Sequence, residues 1–202
     1  MSNKLYYRKQ IEKIEELKKA NLKPTLLLHT CCAVCFSSAY MQIKDSFDIT
    51  VFFFNPNIYP SSEYDKRKEE VLRLIAIFNK EFNTNVKFIE KLEDFSSYKE
   101  KKVHKYPCYD CIYNRLLVSY NYAEKEKFDY VSTTLTVGRQ KNSILINLLG
   151  EQLEKNYTTT KYFYSDFKKN NGILLSNEMR KKYNIYAQNY CGCEPYYIKK
   201  DN

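Results

Sequence analysis

The sequence predicts an α/β protein in which helices cover both faces of a parallel β-sheet, giving three layers. Two short apolar runs have the length of buried strands, at 25–30 (TLLLHT) and 49–54 (ITVFFF). Amphipathic helical patterns separate such runs, and strands alternating with helices are typical of parallel βαβ units. The chain has 202 residues, which is the size of one domain with small appendages.

The elements are predicted from periodicity and from the residues that interrupt it. An amphipathic helix within 1–23 places Leu5, Ile11, Ile14 and Leu17 at helical spacing, and Pro24 is expected to end it. The other predicted strands are 86–89, 130–134 and 161–164. The other predicted helices are one capped by Ser61 or Ser62 and running to about Phe82, one starting near Cys108, then 142–153 and 177–183.

One domain spanning 1–202 is therefore expected. Its parts are the N-terminal helix in 1–23, a core of sheet and helices in 24–164, and a C-terminal extension in 165–202 that carries two cysteines. Ligands of parallel sheets bind beyond the carboxyl ends of the strands, and Cys31 follows the first strand directly.

The composition narrows the class of protein and of partner. Lys and Arg number 33 against 24 Asp and Glu, and this net charge of +9 favours an anionic partner, with RNA first, although exposed lysines can also be merely solvated. Seven cysteines in 202 residues are too few for a secreted disulfide scaffold, and an odd number does not allow every cysteine to pair within the chain. Because no signal-peptide core and no membrane-spanning run occurs, a cytoplasmic protein without a membrane partner is expected.

The cysteines fall into three groups, and none is isolated. The groups are Cys31-Cys32-x-x-Cys35, Cys108-x-x-Cys111 and Cys191-Gly192-Cys193. A CxxC at the start of a helix favours thiolates, and a CC pair adds two more soft ligands, so zinc and an iron–sulfur cluster both fit a four-thiolate set. A Cys-Gly-Cys allows a tight, reducible disulfide of the catalytic kind. One closed zinc site plus buried spare thiols is the structural alternative.

Polar, basic and aromatic residues follow the predicted strands at the same edge of the sheet. Such residues suit RNA loops, where phosphates need cations and splayed bases need stacking, although a solvated surface has the same pattern. His29 fits a ligand, a proton donor or a satisfied core histidine equally well. No Gly-rich phosphate loop occurs. The candidates for substrate binding are Asn55, Asn57, Tyr59, Thr134, Arg139, Lys141, Lys168 and Lys169.

These motifs, in this order, resemble the QueH family of epoxyqueuosine reductases. The matching stretches run from about Leu26 to Cys193 and are LLLHTCCAVC, VFFFNPNIYPSSEYDKR, CYDCIYNRL, DYVSTTLTVGRQKN, SDFKKNNGILLSNEMRKKYNIY and YCGC. The resemblance implies a fold of the adenine nucleotide alpha hydrolase-like (HUP) class. It also implies the last step of queuosine formation, in which an epoxide at the wobble position of tRNA is reduced without cobalamin.

The resemblance also implies roles for the cysteines. Cys31, Cys32, Cys108 and Cys111 would hold a [4Fe–4S] cluster, and Cys35 would bind an adjacent mononuclear iron. Cys191 and Cys193 would be the catalytic, redox-active pair. The expected partners are the anticodon loop of tRNA carrying epoxyqueuosine and an electron donor that the sequence does not identify, with a monomer favoured.

The chain departs from the family pattern at a few positions. Pro107 stands where an Arg is usual, Gly138–Lys141 (GRQK) replaces an SPHK-like turn, and Val34 replaces a Pro. Ala187 and Asn189 replace an Arg and an Asp before the last cysteines, so charged groups of the kind that hold phosphate or donate a proton are missing.

Two other functions remain open from the residues. One is a zinc-binding RNA module without catalysis. The other is an iron–sulfur-dependent tRNA sulfur-transfer enzyme, which would need ATP and therefore a phosphate-binding loop that the sequence lacks.

Overall fold

A parallel sheet of five strands lies at the centre of the computed structural model, which describes residues 4–92 and 107–193. The strands are β1 (Thr25–His29), β2 (Asp48–Phe53), β3 (Lys87–Glu90), β4 (Tyr130–Thr133) and β5 (Lys161–Tyr162). The α-helices are α1 (Leu5–Lys19), α2 (Ala33–Ile43), α3 (Ser61–Glu81), α4 (Pro107–Lys125), α5 (Ser143–Glu154) and α6 (Gly172–Lys182), and a short 3₁₀ turn spans Thr134–Val137.

The strand order places a crevice at the carboxyl ends of β1 and β4. The order is β3-β2-β1-β4-β5, and all neighbours are parallel. The chain first moves outward from β1 to β3 and then returns to the other side of β1 to form β4. Leu28 of β1 pairs with Val51 on one side and Ser132 on the other. Such a reversal of direction is the usual ligand site of parallel sheets.

Alternating side chains of the strands build two hydrophobic cores, one on each face of the sheet. Leu26 and Leu28 point to the face covered by α1, α2, α3 and α6. Leu27 and Phe52 point to the face covered by α4 and α5. Met179 of α6 belongs to the first core, so the segment after 164 contributes to packing as well as carrying cysteines. The three-layer parallel fold is confirmed.

Several predicted element ends were wrong. Pro24 does not end α1: the helix stops at Lys19, and Asn21 turns the chain with a positive φ of 51°. Neither Ser61 nor Ser62 caps α3 through its side chain, because Pro60 is the residue before the helix. The strand predicted over 161–164 is only two residues long.

Helix α2 was not predicted, and α6 begins earlier than expected. Buried residues of α2 lie on nearly all sides of the helix, so its sequence has no amphipathic period to detect. Helix α6 begins at Gly172, where the carbonyl oxygen accepts a hydrogen bond from Ser38 Oγ at 2.8 Å. That contact joins distant parts of the chain, so local sequence does not reveal it. None of the described helices combines the length and apolar character needed to cross a membrane.

Candidate functional site

The first cysteine group lies at the crevice, where β1 gives way to α2. Cys32 is the residue before the helix, in an extended conformation, and Cys35 lies in the first turn. Hydrogen bonds from the Cys31 and Cys35 thiols hold the pKa of Cys32 well below its ordinary value. The unpaired amides and dipole at the start of α2 act in the same direction. Cys32 therefore has thiolate character, whereas hydrogen bonds within the group raise the pKa values of Cys31 and Cys35.

The second group occupies the first turn of α4, as the sequence predicts. One turn after Cys111, Arg115 donates a hydrogen bond from Nη2 to Cys111 Sγ at 3.1 Å. The same nitrogen donates to Asn57 Oδ1 in the loop after β2. Arg115 is 5% exposed, so this cation is held inside the protein beside the thiol.

The third group is brought to the second by Lys141, which follows the 3₁₀ turn after β4. Its Nζ donates to Cys191 Sγ at 3.2 Å and to Cys108 Sγ at 3.8 Å. A hydrogen bond from Cys193 lowers the pKa of Cys191 to about 5 against the effect of burial, and the charges of Lys141 and Arg115 lower it further. Cys191 is the more acidic thiol of its pair, because the hydrogen bond with Cys191 and burial raise the pKa of Cys193.

All three groups meet in one place, which we call the cysteine centre. Arg115 interacts electrostatically with thiols of each group, namely Cys111, Cys31 and Cys191. Every cysteine of the centre is a free thiol. Within residues 4–92 and 107–193, no three Cys, His, Asp or Glu side chains are already arranged to hold a metal ion. The members of the centre are Cys31, Cys32, Cys35, Cys108, Cys111, Cys191 and Cys193.

The two cations at the centre, Arg115 and Lys141, face cysteine sulfurs. In the described part of the chain, neither Arg115 nor Lys141 forms a salt bridge with a carboxylate. Their pKa values are nevertheless raised, in spite of burial, because they face cysteine sulfurs. Buried charges are normally paired. The centre therefore suits an anionic group, either thiolates or a cluster bound by thiolates.

Buried polar atoms without hydrogen-bond partners lie around the centre. Buried polar groups are almost always satisfied, so such atoms indicate a place where a ligand or water completes the contacts. Gln188 donates to Cys32, yet its other amide atom has no partner. The unsatisfied atoms that we place around the centre are Asn57 Nδ2, Arg115 Nε, Thr134 Oγ1, Asn55 Oδ1 and Gln188 Oε1.

The predicted substrate-binding residues divide into buried and exposed sets. Asn55, Asn57 and Thr134 are buried behind the crevice. Tyr59 is 44% exposed and Arg139 is exposed, so both lie at the surface near the centre.

The predicted lysines have different surroundings. Lys168 donates to the Lys141 carbonyl oxygen at 2.6 Å and so supports the turn that carries Lys141. Lys169 is half-buried next to it. Among the departures from the family pattern, Ala187 is half-buried and Asn189 is exposed, while the side chain of Pro107 lies outside the described part.

His29 is a satisfied core histidine. Its Nε2 donates to the Phe54 carbonyl oxygen at 3.0 Å, so Nδ1 accepts from Thr133 Oγ1 at 2.9 Å. Burial, together with the charge of Arg115, lowers the pKa of His29 to about 4. The neutral ring ties β1 to β2 and β4.

Three residues that face or contact the cysteine centre were missed from the sequence: Arg67, Arg115 and Gln188. Arg115 could have been found, because it lies four residues after Cys111 and thus on the same face of the helix. Arg67 lies far from every cysteine in sequence, and Gln188, although three residues before Cys191, contacts Cys32, so no local pattern distinguishes them.

Comparison with known proteins agrees with this architecture. The family model described as "Epoxyqueuosine reductase QueH" matches residues 26–199. The epoxyqueuosine reductase QueH of Staphylococcus epidermidis is 35% identical, over 95% of this chain and 84% of the relative. That of Streptococcus pyogenes serotype M1 is 34% identical, over 95% of this chain and 78% of the relative.

A solved structure shares the fold. The U34-tRNA thiolase NcsA from Methanococcus maripaludis, with its [4Fe-4S] cluster, has a TM-score of 0.52 and 13% sequence identity. The match covers 92% of this chain and 67% of the thiolase. At this identity the likeness concerns the fold alone, a parallel sheet flanked by helices. With the family model matching nearly the whole chain, this protein belongs to the epoxyqueuosine reductase QueH family.

Proposed function

We propose that this chain is an epoxyqueuosine reductase, which converts epoxyqueuosine at the wobble position of tRNA into queuosine. The observation that carries the proposal is the meeting of three cysteine groups at the crevice, in a chain of this family. The reaction is the last step of queuosine formation and does not use cobalamin. The cytoplasm is the expected location, and a monomer is the expected state.

The cysteine centre fits an iron–sulfur cluster. We assign Cys31, Cys32, Cys108 and Cys111 as ligands of a [4Fe–4S] cluster, and Cys35 as a ligand of an adjacent iron. Three observations support this assignment: the soft donor set, the two cations that have no carboxylate partner among the described residues, and the unsatisfied polar atoms. When bound, the metal group would supply a Lewis acid for the epoxide oxygen and a path for single electrons.

The thiol pair can supply the electrons of the reaction. Opening and removing the epoxide oxygen takes two electrons and two protons and yields the cyclopentene and water. Cys191 and Cys193 can provide the two electrons as they form a disulfide. Cys193 releases one proton in that step, and the second proton comes from water, because Cys191 is already ionised. Lys141 holds the Cys191 sulfur in the centre through its hydrogen bond. An external reductant, such as a dithiol or a low-potential one-electron donor, then restores the pair.

The surface near the centre offers contacts for the anticodon loop. Tyr59 presents an aromatic ring on which a base can stack, and Arg139 presents a cation to phosphate. Lys169 adds a second cation. Beneath this surface, Asn57 and Thr134 have unsatisfied polar atoms that can form hydrogen bonds with the modified base.

An anaerobic assay tests the proposal. The chain is loaded with iron and sulfide and incubated with tRNA containing epoxyqueuosine and dithionite, and the nucleosides are then analysed by mass spectrometry. We expect loss of one oxygen from the modified nucleoside, whereas the same chain loaded with zinc alone should give none. Unchanged epoxyqueuosine with the iron-loaded chain would contradict the proposal. Zinc without labile sulfide in protein purified anaerobically would favour an RNA-binding module instead.

A further inference from the structure

A buried arginine from α3 joins that helix to the segment that carries the last two cysteines. The side chain of Arg67 is only 1% exposed. Its Nη1 donates to the Cys191 carbonyl oxygen at 3.2 Å, and its Nη2 donates to the Tyr190 carbonyl oxygen at 3.3 Å. The guanidinium also lies over the Tyr190 ring, 5.3 Å from the centroid. One side chain thus holds two successive peptide groups of the segment.

The third edge of the guanidinium is fixed by an acidic partner. Arg67 Nε donates to Glu63 Oε1 at 2.7 Å, one turn earlier on α3. The Tyr186 hydroxyl donates to the other oxygen of Glu63 at 2.8 Å. Because every edge of the planar fork has a partner, the group has one orientation, which a flexible lysine would not reproduce.

The cysteine segment is built to accept this contact. Gly192 has φ +109°, and a Cβ at this position would lie 2.9 Å from Arg67 Nη1. The Gly192 carbonyl oxygen accepts a hydrogen bond from the Tyr59 amide at 2.7 Å. Glycine is therefore required both for the backbone conformation and for the close approach of the arginine.

Arg67 also faces the first cysteine group. Its pKa is raised in spite of burial, first by Glu63 and then by the sulfurs of Cys31 and Cys32. The side chain thus lies between the residues after β1 and the segment that ends the described chain. It contacts the backbone of that segment, leaving the thiols of Cys191 and Cys193 available.

We propose that Arg67 is a positioning residue that holds the Cys191–Gly192–Cys193 segment over the cysteines following β1. Its role in the reaction rests on the proposed function, in which this pair provides the electrons. Without the fork, the segment opens from the protein and the two thiols lose their fixed place in the centre.

Substitution of Arg67 with a matched control tests this role. Arg67→Lys keeps the charge but cannot span two carbonyl groups. Arg73→Lys is the control, because Arg73 also reaches from α3 to the C-terminal segment, through the carbonyl oxygens of Tyr183 and Asn184. The iron-loaded proteins are treated with N-ethylmaleimide under anaerobic conditions, and modification of each cysteine is followed by peptide mass spectrometry.

We expect Cys191 and Cys193 to be modified about tenfold faster in Arg67→Lys, because loss of buried charge-assisted hydrogen bonds favours local opening. The rates in Arg73→Lys should equal those of the unaltered chain. Equal rates in Arg67→Lys would overturn the proposal. If Arg67→Lys does not fold, Gly192→Ala decides the matter, since its Cβ displaces the same contact while Arg67 itself is retained. Unaltered rates in that variant would also overturn the proposal.

Steady-state kinetics separate positioning from substrate contact and from the proposed function. Arg67 is buried, so Arg67→Lys should lower kcat and leave KM for tRNA unchanged, whereas a rise in KM alone would contradict the role. The modification experiment uses no tRNA. An inactive unaltered chain would therefore overturn the reductase proposal while the modification rates still decide whether Arg67 holds the segment.

Discussion

At the residue scale, the thiols of the cysteine centre differ because their neighbours differ. Cys191 lies 3.2 Å from the Lys141 ammonium and also receives a hydrogen bond from Cys193. Its pKa falls to about 5, so Cys191 is a thiolate at neutral pH, and a thiolate is the attacking form in disulfide exchange. Cys193 keeps its proton over the same range because its pKa is raised.

This difference leads to a prediction for Cys191→Ser. The variant should bind as much iron and labile sulfide as the unaltered chain, because the four assigned cluster ligands remain. It should lose multiple-turnover activity, because a single thiol cannot form the internal disulfide. Metal analysis and the tRNA assay measure the two properties separately. Normal turnover in this variant would exclude the pair as the electron store.

At the element scale, α5 and β5 pack closely at a glycine. A Cβ at Gly150 would lie 2.4 Å from the Tyr162 ring, which is too close for any side chain. The Gly150 carbonyl oxygen also accepts a hydrogen bond from the Tyr120 hydroxyl at 3.2 Å. The glycine therefore lets α5 approach β5 closely.

We expect Gly150→Ala to be destabilising. Alanine gains about 1 kcal/mol of helix propensity, but forcing a methyl group into a packed core costs ~1–3 kcal/mol and here displaces a ring. The free energy of unfolding, measured by urea denaturation, should therefore fall. Gln152→Ala, at an exposed position of the same helix, should stay within about 0.5 kcal/mol of the unaltered chain. An unchanged free energy of unfolding in Gly150→Ala would mean that the Tyr162 ring can move away without cost.

A second contact between elements depends on pH. Backbone amides of Thr160 and Thr158 donate to the Glu124 carboxylate near the end of α4, and they hold the pKa of Glu124 well below its ordinary value. A carboxyl group with a lowered folded-state pKa stabilises the fold above its unfolded-state pKa, about 4.3, and this contribution is lost as the pH falls further.

Glu124→Gln should therefore be less stable than the unaltered chain at pH 7, and the difference should shrink as the pH falls below about 4.3. Urea denaturation at several pH values measures this difference. Glu178→Gln, an exposed position on α6, is the matched control and should show no difference at any pH. A Glu124→Gln difference that does not change with pH would contradict the role of the ionised carboxylate.

At the scale of the whole molecule, the cysteine centre connects segments far apart in sequence. Its three groups come from the junction between β1 and the start of α2, from the start of α4 and from the C-terminal segment. Binding of one anionic group there would link these segments and neutralise Arg115 and Lys141. Ligands that bind only the folded state raise its stability.

Loading the chain anaerobically with iron and sulfide should therefore raise Tm. At a hundredfold excess over Kd the gain is about 2.7 kcal/mol, and one kcal/mol shifts Tm by roughly 2–4 °C at this chain size, so we expect at least ~5 °C. Calorimetry measures the shift. Cys111→Ser is the control and should show little of it. An equal shift in Cys111→Ser would mean that iron binds elsewhere.

The sequence by itself determined strands β1 to β4, the parallel three-layer arrangement and the grouping of the cysteines. These features depend on local patterns in the sequence. The apolar run of β1 is one example, and the position of Cys108 at the start of a helix is another. It did not reveal α2, because a helix buried on nearly all sides has no amphipathic pattern.

Only the tertiary structure decided how the groups meet and which cations accompany them. Arg67 reaches the carbonyl oxygen of Cys191, and Lys141 reaches sulfurs in two groups. The structure also shows that His29 is a core residue, because its two hydrogen-bond partners lie on or directly after the neighbouring strands. Local patterns report burial and turns. The partner of a buried charge is set by chain segments that meet only after folding, so it is not written in any short stretch of sequence.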